Sequence, residues 1–158
     1  MFENERTNNE EIILKYRDIS VKLAKYIPWL ESKKGTDVMK TYVPEHATAS
    51  TMRIPTYDST LINLVKEIDK SGFVNKNYRY IYSRYTIRSA SDERRMINRA
   101  QIKDMDILFG ILSRYYLEGR VKSNVWKEGV ENGIYLECIS KIKELIEFWD
   151  MPFDKRSN

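Results

Sequence analysis

The stretch "NYRYIYSRYTIR", Asn77–Arg88, decides between helix and strand for the middle of the chain. As a strand, it would mix tyrosine with arginine or isoleucine on both faces, and neither face would be apolar. As a helix, it places Tyr78, Ile81, Tyr82 and Tyr85 at i, i+3, i+4 and i+7 on one stripe. Arg79, Tyr80, Ser83 and Arg84 then share the opposite side. Ile87 would fall on the polar side, so the helix is expected to end near Thr86. Three of the tyrosines are thus read as core residues with a polar tip. Tyr80 and the arginines have no such explanation.

The same spacing recurs on both sides of this stretch. Ile12, Ile13, Tyr16, Ile19, Leu23, Ile27 and Leu30 describe an N-terminal helix. Asn8 or Asn9 is its expected cap, Glu10 and Glu11 suit its positive first turn, Pro28 bends or restarts it, and Lys34-Gly35 ends it. Leu61, Leu64, Val65 and Ile68 form the buried face of another helix, opened by Asp58 or Ser59 and closed by a left-handed Gly72. "SDERRMINRA" resembles a short capped helix with Met96, Ile97 and Ala100 inward. Leu108, Phe109, Ile111, Leu112, Tyr115 and Tyr116 mark a stronger helix, with Asp104 and Asp106 in its first turn and Gly119 as its stop. Gly110 and Ser113 fall on its less apolar side. A mid-helix glycine costs about 1 kcal/mol relative to alanine, so a close-packed neighbour is expected there. Ser123 or Asn124 opens a short helix through Trp126 and Val130. The last helix runs through Ile134, Tyr135, Cys138, Ile139, Ile142, Leu145, Ile146 and Trp149.

Residues 35–57 follow neither period and contain two prolines, which reads as a long connection with at most a short extended piece. The expected class is all-α: a single domain over 1–158, a compact bundle of about six helices. One long irregular loop at about 35–57 and a flexible tail at 150–158 complete it.

At 158 residues the chain has the size of one domain, long enough to bury roughly 70% of its unfolded surface without staples. Apolar content of 42% and charged content of 32% describe a soluble globular protein. The single cysteine, Cys138, excludes an internal disulfide and fits a reducing compartment. The acidic start lacks the pattern of a secretory leader, and no apolar run suits a membrane helix. The expected location is cytoplasmic, with no membrane partner. Net charge is +4, unevenly placed: Lys76–Lys103 holds eight basic and two acidic residues, which leaves 19 basic and 21 acidic elsewhere.

Catalytic chemistry finds little support. His46 is the only histidine and sits on the long connection, Cys138 lies on an inward helical face, and Asp104 and Asp106 point in different directions on a helix. There is no glycine-rich phosphate loop and no metal-ligand spacing, so neither a metal, a cofactor nor a catalytic group is expected. The basic segment remains. Arg95 and Arg99 stand i, i+4 on one helix, and neither Arg79 nor Arg84 has an acidic neighbour three or four residues away. Either these arginines form a solvated face or pair with the acidic last helix (Glu137, Glu144, Glu147), or they make an anion-binding surface with Tyr80 as a stacking platform.

The stretch "LSRYYLEGRVKSNVWKEGVENGIYLECISKIKEL", with "INRA" and "SGFV" before it, resembles an uncharacterised bacterial, archaeal and phage domain family. That family carries an Arg-x-Glu-Arg-Phe-x-x-Gly-x-Trp block, then a short helix, a glycine and a final helix. Over about residues 55–147, Arg120, Trp126 and Gly133 stand at matching positions. Leu117, Gly119, Val121 and Asn124 stand where the block has its first Arg, Glu, Phe and Gly. The resemblance implies a helical fold and singles out Arg120 and Trp126; it implies no activity.

The resulting expectation is a non-enzymatic binding domain. Its working surface is Arg79, Tyr80, Arg84, Arg95 and Arg99, with Arg88 and Arg120 nearby, and its partner is a nucleic acid, a nucleotide or an acidic protein surface. Two alternatives stay open: a protein-interaction module such as a phage-type inhibitor of a host defence nuclease, and a small enzyme acting on a phosphorylated substrate. An oligomer is compatible with either.

Overall fold

The computed structural model describes residues 2–35, 39–42, 54–122 and 124–151, with side chains at 8–35, 58–122 and 124–151. In chain order the elements are α1 (Phe2–Ala24), α2 (Ile27–Lys33), β1 (Met39–Tyr42), β2 (Ile54–Tyr57), α3 (Ser59–Lys70), α4 (Tyr78–Arg84) and α5 (Ala90–Arg99). A single 3-10 turn, Ile102–Asp104, leads into α6 (Met105–Gly119), α7 (Val125–Glu131) and α8 (Ile134–Asp150).

The class is helical, as the spacing predicts, but the described residues form eight α-helices rather than about six. Pro28, near the start of α2, has no N–H to continue α1, so the N-terminal helix is two. α1 already begins at Phe2, which puts Asn8 and Asn9 inside it rather than at its cap. The expected irregular loop is partly ordered: β1 and β2 pair antiparallel, Met39 opposite Tyr57 and Tyr42 opposite Ile54. Four-residue strands are too short to show a period, and their partners lie outside any local window. Residues 36–38 and 43–53, His46 among them, lie outside the described residues. At the other end Asp150 belongs to α8 and pairs with Arg17 of α1 rather than opening a tail; 152–158 lie outside the described residues.

α6 is the axis of the bundle, buried almost all round. Gly110 and Ser113 are therefore interior, not on a polar side. A Cβ on Gly110 would stand 2.7 Å from Ile81 Cδ1, so the glycine is where α4 crosses α6. The Ser113 hydroxyl donates to the Phe109 carbonyl at 2.6 Å and accepts from the Asn75 N–H at 2.8 Å, so its burial leaves nothing unpaired. α8 lays Ile134, Tyr135, Cys138, Ile139, Ile142 and Ile146 into the same core. The Cys138 thiol is pushed up by burial and donates to the Leu108 carbonyl at 3.2 Å, the setting of an inert side chain.

Gly119 does not end α6 by a left-handed turn. It is buried, and its missing side chain makes room for the Trp126 indole. The Trp126 N–H donates to the Tyr116 carbonyl at 2.9 Å, which satisfies one of the unpaired carbonyls at the end of α6.

On α4, Tyr78 and Ile81 are buried, Tyr82 and Tyr85 half-buried, and Tyr80 is 57% exposed. The helix ends one turn before Ile87. The Ile87 N–H reaches back to Tyr82 O and the Thr86 N–H to Ser83 O, a C-terminal motif that needs a left-handed residue between. That residue is Thr86, at φ 54. The turn swings Ile87 from the polar side into the core, where it is 5% exposed. A β-branched residue in this region costs about 1–2 kcal/mol. Thr86→Gly is therefore expected to raise stability by about 1 kcal/mol after the entropy cost of glycine, read by urea unfolding. A drop in stability would show that the threonine side chain holds the turn.

Candidate functional site

α5 divides the candidate residues between two sides. Its cap is made locally: Ser89 Oγ accepts from the Asp92 N–H at 3.2 Å, and the Asp92 carboxylate accepts from the Arg88 N–H at 2.9 Å. That backbone bond first, and Arg95 after it, hold the Asp92 carboxyl below its usual value.

On one side Arg95 and Arg99 flank a groove of about 400 Å³ with Tyr85, Met96, Ala100, Asp104 and Ile107. Arg95 also stands 3.3 Å from Asp92, an exposed i, i+3 pair. Exposed pairs of this kind contribute about 0.2–1 kcal/mol, so the guanidinium is only loosely held. Arg84 lies over the Tyr85 ring at 5.4 Å, and Arg79 over Tyr78 at 5.9 Å. Among the described residues, the guanidiniums of Arg79, Arg84, Arg88 and Arg99 have no carboxylate within 4.0 Å. Pairing with the last helix, the alternative open for this segment, falls to a different residue: Arg94 donates to Glu137 at 2.9 Å and to the Asn132 carbonyl.

The expected surface is not one patch. Arg95 and Arg99 share the groove with Tyr85, whereas Arg88 lines a different cavity. Tyr80 and Arg79 stay on the exposed side of α4. Arg120 follows α6 and lies over the Tyr116 ring at 6.0 Å, where Tyr116, its hydroxyl raised by burial and then by a bond to Asp69, faces α3. Trp126 seals the end of α6, and Gly133 takes φ 79 at the turn into α8, with the Lys34 stem passing close by.

The second cavity, about 260 Å³, is lined by Tyr82, Arg88, Glu93, Arg114, Glu128 and Asn132, among others. Its back wall is a carboxylate that is 1% exposed. Glu93 accepts from the Tyr82 hydroxyl at 2.5 Å, the Tyr115 hydroxyl at 2.8 Å and Arg114 Nη1 at 3.3 Å. Arg114 Nε donates to Glu118 at 2.6 Å, and Asn132 Nδ2 to the Tyr115 oxygen at 3.0 Å. Burial, and then the Glu93 charge, push both tyrosine hydroxyls well above their usual value. Burial alone would lower Arg114, but Glu93 and Glu118 outweigh it and raise it. The cluster is therefore a fixed ion pair with two tyrosines that stay protonated.

Nothing in the motifs or the charge pattern points to this cluster. A subtler signal for it exists: Glu93 stands at i to Met96, Ile97 and Ala100 at i+3, i+4 and i+7, an acid on an apolar stripe. Such a residue is buried only when paired, and the tyrosine tips of α4 and α6 are the available donors.

Among the described residues no cluster of His, Cys, Asp and Glu suits a metal ion, and no helix is long and apolar enough to cross a membrane. No family model, curated protein or solved structure matches the chain.

Proposed function

We propose that the chain is a non-enzymatic binding domain whose basic surface takes an anionic partner of the nucleic-acid or nucleotide class. The observation that carries this reading is the groove beside α5, lined by two guanidiniums against one carboxylate, Asp104, with Tyr85, Met96, Ala100 and Ile107 supplying its aromatic and apolar surface. Arginine forks match phosphate geometry, and a tyrosine face accepts a base without sequence preference. Arg84, over the ring of the groove residue Tyr85, adds positive charge beside it, and Arg79 adds more along α4.

The test is the variant Arg79→Glu/Arg84→Glu/Arg95→Glu/Arg99→Glu. All four side chains are exposed, and the Arg95–Asp92 pair is solvent-screened. Each change is expected to alter stability by no more than about 0.5–1 kcal/mol. Wild type is expected to bind single-stranded DNA, RNA or a nucleotide at low salt. The variant should lose that affinity, and every phosphate-binding arginine removed should lower the log–log salt slope by about 1. An unfolded variant would make these arginines part of the fold. A wild type that binds none of these ligands at low salt would end the reading.

A further inference from the structure

The cavity walled by Glu93 is built from four elements: Tyr82 of α4, Glu93 of α5, Arg114 of α6 and Glu128 of α7, with Arg88 on the α4–α5 turn. We propose that it binds a small zwitterion of the free α-amino-acid class. Arg88 takes the ligand's carboxylate and Glu128 its ammonium.

Charge decides the class. The cavity carries two cations, Arg88 and Arg114, and two anions, Glu93 and Glu128. Arg114 is held between the Glu93 and Glu118 carboxylates, so the back wall offers no free cation. Arg88 and Glu128 are exposed and, among the described residues, neither has an ion partner within 4.0 Å. A lone anion would gain Arg88 but meet Glu128; a lone cation would gain Glu128 but meet Arg88. A molecule with both charges satisfies both rim groups and is repelled by neither.

Size points the same way. A cavity of about 260 Å³ has room for a molecule the size of a free amino acid.

Two features fit a built site rather than a packing defect. A buried ion cluster is weak evidence for stability, since apolar packing of the same volume does as well or better; here it walls a cavity. Thr86, the left-handed β-branched residue, stands two positions before Arg88 and fixes the turn that carries it. The inference does not depend on the nucleic-acid reading, since the α5 groove is a different cavity.

The experiment is calorimetric titration of the full chain with free proteinogenic amino acids. Propionate and ethylamine serve as single-charge controls for alanine. At least one amino acid is expected to bind with Kd at or below about 1 mM, and its single-charge analogues at least about tenfold more weakly. Arg88→Gln and Glu128→Gln are each expected to weaken binding by about tenfold with the melting temperature of the free protein unchanged. Both residues are exposed, so neither variant threatens folding. The proposal is overturned if no amino acid gives heat at ~10 mM, if the deaminated or decarboxylated analogue of the tightest-binding amino acid (propionate or ethylamine where that is alanine) binds as tightly as it does, or if both rim variants bind like wild type.

Discussion

Glu93→Ala is expected to cost about 3–5 kcal/mol, a large share of the roughly 5–15 kcal/mol that holds a domain folded. The cost does not come from the size of the side chain. It comes from what stays behind: two tyrosine hydroxyls lose their acceptor, and the half-buried Arg114 guanidinium loses one of its two carboxylates. Tyr82→Phe and Tyr115→Phe each remove one bond to a charged acceptor and are expected to cost about 1.5–3 kcal/mol. The three effects should fall short of additivity, because the groups share one oxygen pair. Urea unfolding measures all of them, and a Glu93→Ala cost under about 1 kcal/mol would show that the cluster is held open by its surroundings. The cluster also sets an alkaline limit. Tyr82 and Tyr115 are raised above the ordinary tyrosine value of 10.0 in the folded chain, so the unfolded chain loses these protons first. Their contribution is fully present below pH 10.0 and declines as the pH rises above it. In Tyr82→Phe/Tyr115→Phe that part of the alkaline decline should disappear.

Gly119→Ala is the second large effect. An added Cβ would stand 1.9 Å from Trp126 Cδ1 and 2.2 Å from its Nε1. The indole must move to clear the methyl group, which puts its bond to the Tyr116 carbonyl at risk. Overpacking of this kind costs about 1–3 kcal/mol, and the broken hydrogen bond about 1 more. The double variant Gly119→Ala/Trp126→Ala separates these causes. With the indole gone the methyl group has space, so the cycle should show a coupling of about 1–3 kcal/mol. Simple additivity would mean that α6 has shifted instead, and that Gly119 matters for its backbone alone.

The apolar spacing alone determined that this chain is helical, and it located α3, α5, α6 and α8 closely. Amphipathic periodicity is local, so a window of a dozen residues contains it. The same spacing chose Tyr78 and Ile81 for the core and Tyr80 for solvent. Where a residue's role depends on a distant partner, the sequence was silent or misleading. Gly119 does end α6, but only the fold shows that it is glycine because the Trp126 indole lies on it. Ile87 looks polar-side until Thr86 takes a left-handed turn. The basic segment reads as one patch along the chain, yet the bundle divides it between an open groove at Arg95 and Arg99, a second cavity at Arg88 and the end of α6 at Arg120. Above all, Glu93, Tyr82, Tyr115 and Arg114 come from three helices. Charge pairing inside a core acts through space at hydrogen-bond distance, and only the crossing of α4, α5 and α6 brings those groups within reach of one another.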